Sequence, residues 1–196
     1  TINLPRIAVE SNGEWDKFEE ALQTRLEVAR KVLLAWRERY EKSIREGLMP
    51  LTRTYLGHLR THFNTLGLLG LPEAAANFLK DSKLWEELAP KALSDAIKFE
   101  RKVVEYVASV AREYEEEDGY MYNVEEVPAE STAYRLALKD WERCRRQVER
   151  GEVFIPLEDG KPFYSNSIVP YYANIPIFER ATLEGQVQPL FTGGVM

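Results

Sequence analysis

Apolar residues recur at steps of three or four along most of the chain, the spacing that places them on one face of an α-helix. The longest apolar stripe begins at Trp15 and continues to Tyr40, and Ser11 or Asn12 is suited to cap that helix. The same spacing predicts further helices downstream. The predicted helices cover residues 14–45, 51–64, 74–81, about 90–118 and a segment marked by Tyr134, Leu138, Trp141 and Val148.

Short extended segments lie between and after these helices. The chain starts with the apolar, strand-like TINLPRIAV, and GYMYNVEEVP is extended around Pro128. Residues 152–196 contain the β-like stretches VFIPL, PFYSNSIV and QPLFTGG. Strands that alternate with helices are typical of a parallel sheet or barrel, but too few are present here to close a barrel. The sequence therefore predicts a helix-rich α/β fold.

The composition is that of a globular protein, with 44% hydrophobic and 30% charged residues. The net charge of −6 comes from interspersed charges of both signs, which argues against direct binding of nucleic acid. The single cysteine, Cys144, cannot form an internal disulfide. No apolar run is long enough for a membrane span, and the first residues lack a signal-peptide pattern. We therefore expect a cytoplasmic protein without a membrane partner.

Both ends of the chain are unusual. It starts at Thr1 in an apolar segment and stops soon after Gly193 and Gly194. We expect these residues to be a piece excised from a larger enzyme, and a processed or trimmed chain is the alternative.

Two candidate sites rest on weak patterns. His58 and His62 are four residues apart, as in a metal-binding pair, but neither an HExxH motif nor a nearby cysteine or aspartate completes a ligand set. Cys144 has arginines close in sequence that favour a thiolate, yet it lacks a histidine partner. We therefore predict no metal site and no nucleophilic cysteine.

The segment LLGLPEAA, residues 69–76, places a carboxylate at an unusual point. Gly70 permits another group to approach the backbone closely, and Pro72 favours the start of a helix. Glu73 then lies at the positive end of the helix dipole. The segment is either a well-capped helix start or the wall of a site.

The segment PAEST, residues 128–132, offers two hydroxyl groups at a predicted helix start. Free backbone N–H groups and the helix dipole favour an anion there. Ser131 and Thr132 would then donate to phosphate oxygens. The alternative is that one of them caps the helix, as serine and threonine commonly do.

Polar side chains also interrupt two apolar, strand-like segments. The YSNS segment contains Ser165, Asn166 and Ser167, and Asn3 lies in TINLPRI. Buried amides and hydroxyls cost free energy unless they are paired. These residues therefore belong either to a network that braces the backbone or to a ligand site.

Several segments occur in an order and spacing that resemble the anaerobic (class III) ribonucleoside-triphosphate reductases, members of the glycyl radical enzymes. They are TINLPRIA, LGLLGLPEAA, EEVPAESTAYRLALKD, FYSNS and FTGG, and together they span essentially the whole chain. The resemblance implies that residues 1–196 are one central segment of a ten-stranded α/β barrel. It also implies that a cysteine radical removes hydrogen from the ribose 3′ carbon and that the 2′ hydroxyl leaves as water.

The resemblance also implies roles for individual residues. Asn3 matches the asparagine of the family's NLPRI segment, and Glu73 matches the acid of its GL-x-E turn, so both are implied to be catalytic. A carboxylate in an apolar pocket has its ionisation disfavoured, which suits proton exchange with a leaving hydroxyl. The implied substrate-binding residues are Ser131 and Thr132 for the phosphates, and Ser165, Asn166, Ser167, Gly193 and Gly194 along the cavity.

Much of the implied machinery lies outside this chain. The radical cysteine is expected just before Thr1 and the glycyl radical motif far beyond Met196. The implied cofactors are a glycyl radical made by an iron–sulfur/S-adenosylmethionine activase, formate or a thiol as reductant, and a zinc site elsewhere. The implied partners are a ribonucleoside triphosphate, the remainder of the reductase and a second copy in a homodimer. Because protein splicing accepts threonine directly after an intein, an extein segment of an interrupted gene would explain these ends, and a truncated chain would explain them equally well.

Two other functions stay open at this point. Another glycyl radical enzyme, acting on a small carboxylic acid, would share the barrel but would not need hydroxyls for a triphosphate. A non-catalytic helical scaffold would explain the long helices and the acidic surface. It would leave PAEST, YSNS and Asn3 without a common purpose.

Overall fold

The computed structural model describes residues 1–195, and it confirms the prediction of a helix-rich α/β fold. In this part of the chain no helix has the length and apolar character needed to cross a membrane. The elements in chain order are β1 (Ile2–Asn3), α1 (Leu4–Ser11), α2 (Trp15–Arg45), α3 (Pro50–Tyr55), β2 (Asn64–Leu69), α4 (Leu71–Leu79), α5 (Leu84–Glu87), α6 (Pro90–Asp118), β3 (Tyr122–Glu126), α7 (Glu130–Glu149), β4 (Leu157–Glu158), β5 (Lys161–Pro162), α8 (Ile177–Glu184) and a 3₁₀ helix (Gln188–Leu190).

The central sheet has three parallel strands in the order β1-β2-β3. Parallel neighbours need a crossover connection, and helices α1 to α3 and α4 to α6 supply the two crossovers. All three strands therefore end at the same edge, and a helix begins within four residues of each end. In α/β proteins this carboxyl edge is the usual place for a ligand.

The core lies between one face of the sheet and the long helices. On α2 the buried residues Phe18, Leu22 and Leu26 are spaced by four. Phe18 packs edge-on against Phe78 and Phe99, whose ring centroids are 4.6 Å apart. Burying each such side chain contributes about 1.5–3 kcal/mol. The sheet side of this core is made by Ile2, Leu66, Leu68, Tyr122 and Val124.

The first segment, TINLPRIAV, is mostly helix, so the prediction of a strand there is correct only for Ile2–Asn3 and wrong from Leu4 onward. Within this segment only the two residues of β1 pair with the sheet. Helix α1 begins at Leu4 because Pro5 fits the first turn and the Asn3 side chain accepts a hydrogen bond from the backbone N–H of Arg6 at 3.3 Å. Ser11 and Asn12 consequently end α1 and do not cap α2.

The predicted helix over residues 51–64 is also wrong beyond its first residues. Helix α3 ends at Tyr55, and Asn64–Leu69 forms the central strand of the sheet. This strand is covered on both faces, so its sequence lacks the alternation of a half-buried strand.

The β-like stretches after residue 152 are largely irregular. Only the two-residue strands β4 and β5 pair there, and QPL forms a 3₁₀ helix. Prolines at positions 156, 162, 170 and 176 remove the backbone donors that longer strands need. The YSNS segment accordingly lies in a loop that packs against α4.

Candidate active site

The turn between β2 and α4 brings three parts of the chain together at the carboxyl edge of the sheet. Gly70 has a left-handed φ of 74°, and a β-carbon there would lie 2.7 Å from Cδ of Pro5, so only glycine fits. Its N–H donates to the carbonyl of Ser165 at 3.0 Å. The helix that begins after it carries Glu73 in its first turn.

Glu73 is fully buried and holds the YSNS loop in place. Its Oε1 accepts a hydrogen bond from the Ser165 hydroxyl at 2.6 Å, and its Oε2 accepts one from the Ser165 backbone N–H at 3.1 Å. The Tyr172 hydroxyl donates to Oε1 at 3.3 Å. Burial raises the pKa of Glu73 to about 7, although the bonds from Ser165 favour the charged form. A carboxyl with this pKa exchanges protons readily near neutral pH.

A second buried glutamate, Glu100, lies on α6 behind this carboxyl. It is completely inaccessible, and neither of its oxygens has a hydrogen-bond partner among residues 1–195. Burial, and then the charges of Glu126, Glu73 and Glu184, raise the pKa of Glu100 well above its usual value. The buried environment of Glu73 and Glu100 therefore favours the protonated form of a carboxyl group.

A cavity of about 740 Å³ opens beside the YSNS loop. Ser165, Asn166 and Ser167 line it together with Glu130 and Ala133 from the first turn of α7. The Ser167 hydroxyl donates to the carbonyl of Val169 at 2.8 Å, whereas Oδ1 of Asn166 is buried without a partner in the described part of the chain. The three predicted YSNS residues are thus brought to one wall, and Asn166 retains an unused acceptor.

The PAEST segment does start a helix, as predicted. Helix α7 begins at Glu130 with Ala129 at the capping position, so the alternative in which Ser131 or Thr132 caps the helix is wrong. Ser131 is exposed and Thr132 is half-buried in the first turn. Neither is among the residues that border the cavity, although Glu130 and Ala133 of the same turn are. The helix start therefore adjoins the cavity.

Asn3 is linked to this wall through Asp140, a residue that sequence reasoning missed. The Asn3 amide donates to Asp140 at 2.8 Å, and the Tyr164 hydroxyl donates to the same carboxylate at 2.9 Å. Asp140 is buried although it lies in the highly charged segment KDWERCRRQVER. Ala133, Ala137 and Asp140 follow one another at steps of four and three, and that spacing was the available signal.

The FTGG segment lies along the edge of β3 that faces away from β2. The N–H of Gly193 donates to Val124 at 3.0 Å, and Gly194 accepts from the N–H of Glu126 at 3.1 Å. A β-carbon on Gly193 would lie 2.6 Å from Nδ2 of Asn123. Gly193 is therefore needed for a close approach to the sheet, and neither glycine borders the cavity in the described part of the chain.

A comparison with protein families identifies the chain. The model of the family "Anaerobic ribonucleoside-triphosphate reductase" matches residues 1–196. The chain belongs to this family. Curated relatives include the anaerobic ribonucleoside-triphosphate reductases of Haemophilus influenzae, 23% identical over 211 residues, and of Escherichia coli, 24% identical over 214 residues. Each alignment covers 99% of this chain and 27% of the relative, so the chain spans about a quarter of their length.

Solved structures of the family have the same fold. The anaerobic ribonucleotide reductase of Thermotoga maritima with glycerol in the active site is 32% identical, with a TM-score of 0.78. The same enzyme in complex with dATP and CTP gives the same identity and TM-score. In both cases the similarity covers 99% of this chain and 30% of the solved chain.

The weaker candidates of this reductase segment are not assembled into sites. His58 and His62 lie in the irregular chain after α3 and not on one helix, so the predicted helical pairing is wrong. Within residues 1–195 no group of three or more histidine, cysteine, aspartate or glutamate side chains is arranged to hold a metal ion. Burial, and then the charge of Asp140, raise the pKa of the Cys144 thiol, which opposes a thiolate.

Proposed function

We propose that residues 1–196 form one segment of the catalytic barrel of an anaerobic ribonucleotide reductase, which converts ribonucleoside triphosphates to deoxyribonucleoside triphosphates. Membership of the family supports the reaction class. The parallel sheet supports the placement, because its carboxyl edge carries Asn3 and leads directly into the helix that bears Glu73. The whole reaction needs groups that this segment does not contain.

The observation that carries the proposal is the position of Ser165. It borders the cavity beside the start of α7, and both its N–H and its hydroxyl bond to Glu73. Only Ser165 would therefore separate a substrate in the cavity from a buried carboxyl whose pKa is about 7. That is the arrangement that proton exchange with a ribose hydroxyl requires.

Each predicted residue has a role in this proposal. Glu73 exchanges a proton with the substrate through Ser165, so that the 2′ hydroxyl leaves as water, and Asn3 presents its amide at the end of β1. Ser131 and Thr132 donate to the triphosphate at the start of α7. Around the cavity, Asn166 and Ser167 contact the nucleotide. Gly193 lets the FTGG segment approach the edge of the sheet, and the Gly194 carbonyl accepts a backbone hydrogen bond there.

The cofactors and partners belong to the same proposal. A glycyl radical, made by an iron–sulfur/S-adenosylmethionine activase, supplies the cysteine radical that starts the reaction. Formate or a thiol supplies the reducing electrons, and a zinc site lies elsewhere in the enzyme. The remainder of the reductase completes the barrel around this segment, and two complete copies form a homodimer. The residues of this segment bind, orient and exchange protons.

The proposal is tested in a reductase that contains residues 1–196, assayed without oxygen for reduction of ribonucleoside triphosphates. We expect Ser165→Ala to lower kcat on the order of 100-fold, because it removes the hydroxyl between Glu73 and the cavity. Thr182→Ala is the control, because that hydroxyl is exposed and bonds only to its own helix. Turnover of a small carboxylic acid, with no competition by nucleoside triphosphates, would contradict the proposal.

A further inference from the structure

Asp140, on α7, is the meeting point of hydrogen bonds from three other parts of the chain. It is only 4% exposed. Its Oδ1 accepts from Nε of Arg6 at 2.6 Å and also from Nη2 of Arg6. Its Oδ2 accepts from the Asn3 amide at 2.8 Å and from the Tyr164 hydroxyl at 2.9 Å. Each oxygen is occupied twice, so this carboxylate acts on the site through the groups that it holds.

The charge of this buried carboxylate is balanced locally. The Arg6 guanidinium donates to Oδ1 through two nitrogens, and such charge-assisted hydrogen bonds are stronger than neutral ones. A buried charge without such a partner is costly. The ion pair therefore anchors α7 to α1 and fixes the position of Oδ2.

Asp140 determines which way the Asn3 amide points. Oδ1 of Asn3 accepts from the backbone N–H of Arg6 at 3.3 Å, and Nδ2 donates to Asp140. If the amide were reversed, its NH₂ would face an N–H donor and its oxygen would face a carboxylate oxygen. Only one orientation is therefore compatible with both neighbours, and in it one amide hydrogen of Asn3 has no acceptor among residues 1–195.

The same carboxylate also positions the wall of the cavity. Tyr164, which donates to Asp140, is buried and directly precedes Ser165, which bonds to Glu73. Two buried carboxylates thus hold adjacent residues of one loop. The two predicted catalytic residues, Asn3 and Glu73, are joined through this loop although they belong to different helix starts.

We propose that Asp140 is a positioning residue of the reductase, which fixes the orientation of the Asn3 amide and holds Tyr164 beside the cavity. This inference rests on the proposed function, because it assumes that the Asn3 amide meets the substrate. Asp140 itself makes no contact with the substrate. Its removal therefore affects the rate of the reaction more than the binding of the nucleotide.

The test uses two variants of an active reductase that contains these residues. Asp140→Asn keeps the shape but places an NH₂ group among donors. We expect kcat per folded enzyme to fall about 10- to 100-fold while KM changes by less than about threefold. Glu149→Gln is the matched control, because Glu149 lies on the same helix in an exposed pair with Arg145 at 3.0 Å.

The second variant exchanges the two side chains, as Asn3→Asp with Asp140→Asn. It keeps the charge of the cluster, restores a hydrogen bond between the two residues, and retains a good capping residue for α1. We expect the stability lost in Asp140→Asn to return without recovery of kcat, because residue 3 no longer offers an amide. If both residues had a purely structural role, stability and kcat would return together.

Two results would overturn the inference: an Asp140→Asn enzyme with the kcat of the parent, or recovery of kcat in the exchanged variant. If Asp140→Asn does not fold, recovery of kcat in the exchanged variant still overturns the inference. A parent enzyme that reduces no ribonucleoside triphosphate is a different outcome. It would overturn the proposed function, and with it the catalytic meaning of the Asn3 amide.

Discussion

Replacing Glu73 with glutamine removes a titrating group from the interior without changing its size. The amide oxygen can accept from the Ser165 N–H, and its NH₂ can donate to the hydroxyls of Ser165 and Tyr172, which accept as well as donate. Glu73→Gln therefore mimics the protonated carboxyl. We expect this substitution to leave the unfolding free energy at low pH nearly unchanged and to alter how the unfolding free energy varies with pH.

The sign follows from the direction of the shift. The folded state raises the pKa of Glu73 from 4.5 to about 7, so between these values the folded protein binds more protons than the unfolded chain. The unfolding free energy then falls as pH rises. A pKa shift of this size corresponds to about 3 kcal/mol of unfolding free energy. This contribution is fully present below pH 4.5 and is lost once the pH exceeds about 7.

The assay is urea unfolding of the parent and of Glu73→Gln between pH 4.5 and 8. Glu100 also has a raised pKa and gives a slope of the same sign in both proteins. The difference between the two curves therefore reports the titration of Glu73 together with its electrostatic coupling to Glu100. We expect the variant to be more stable by about 3 kcal/mol at pH 8 and equal to the parent at pH 4.5. Parallel curves over the whole range would refute the argument from burial.

Three further predictions concern binding and packing. In an active reductase, Ser131→Ala with Thr132→Ala should raise KM for the triphosphate about 10- to 100-fold and leave kcat nearly unchanged in steady-state kinetics. An unchanged KM would exclude the two hydroxyls as phosphate donors. Gly193→Ala should lower the unfolding free energy by about 1–3 kcal/mol because the β-carbon meets Asn123, whereas Gly194→Ala, which meets no atom within 4 Å, should be neutral. Asn77→Ala should lower the unfolding free energy by about 2–3 kcal/mol in the same denaturation assay, because the Asn77 amide pairs with both the N–H and the carbonyl of Phe154. A loss below about 0.5 kcal/mol would contradict this prediction.

The long helices could be predicted from the sequence because their pattern is repeated over many turns. Trp15–Arg45 and Pro90–Asp118 were expected within a residue or two of their observed bounds. The central strand could not be predicted in this way. Asn64–Leu69 is short and covered on both faces, and an apolar run of that kind has the same periodicity whether it is strand or buried helix.

The candidate site shows the same division between local and long-range information. The turn at Gly70 and the start of α7 follow from nearby residues and were expected. The partners of Asp140 were not, because Asn3 is 137 residues away in sequence. Glu73 likewise accepts hydrogen bonds from Ser165, which lies 92 residues further along the chain. Such contacts are set by the topology of the sheet, which places distant segments at one edge.

The most direct test of the account is the reduction of ribonucleoside triphosphates by a reductase that carries Glu73→Gln, with triphosphate binding measured separately in the same enzyme. The proposed role of Glu73 predicts that reduction is abolished, because the group that exchanges a proton through Ser165 is gone, while the dissociation constant for the triphosphate stays within about twofold of the parent. Reduction at the parent rate, or an equal loss of binding and turnover, would contradict it.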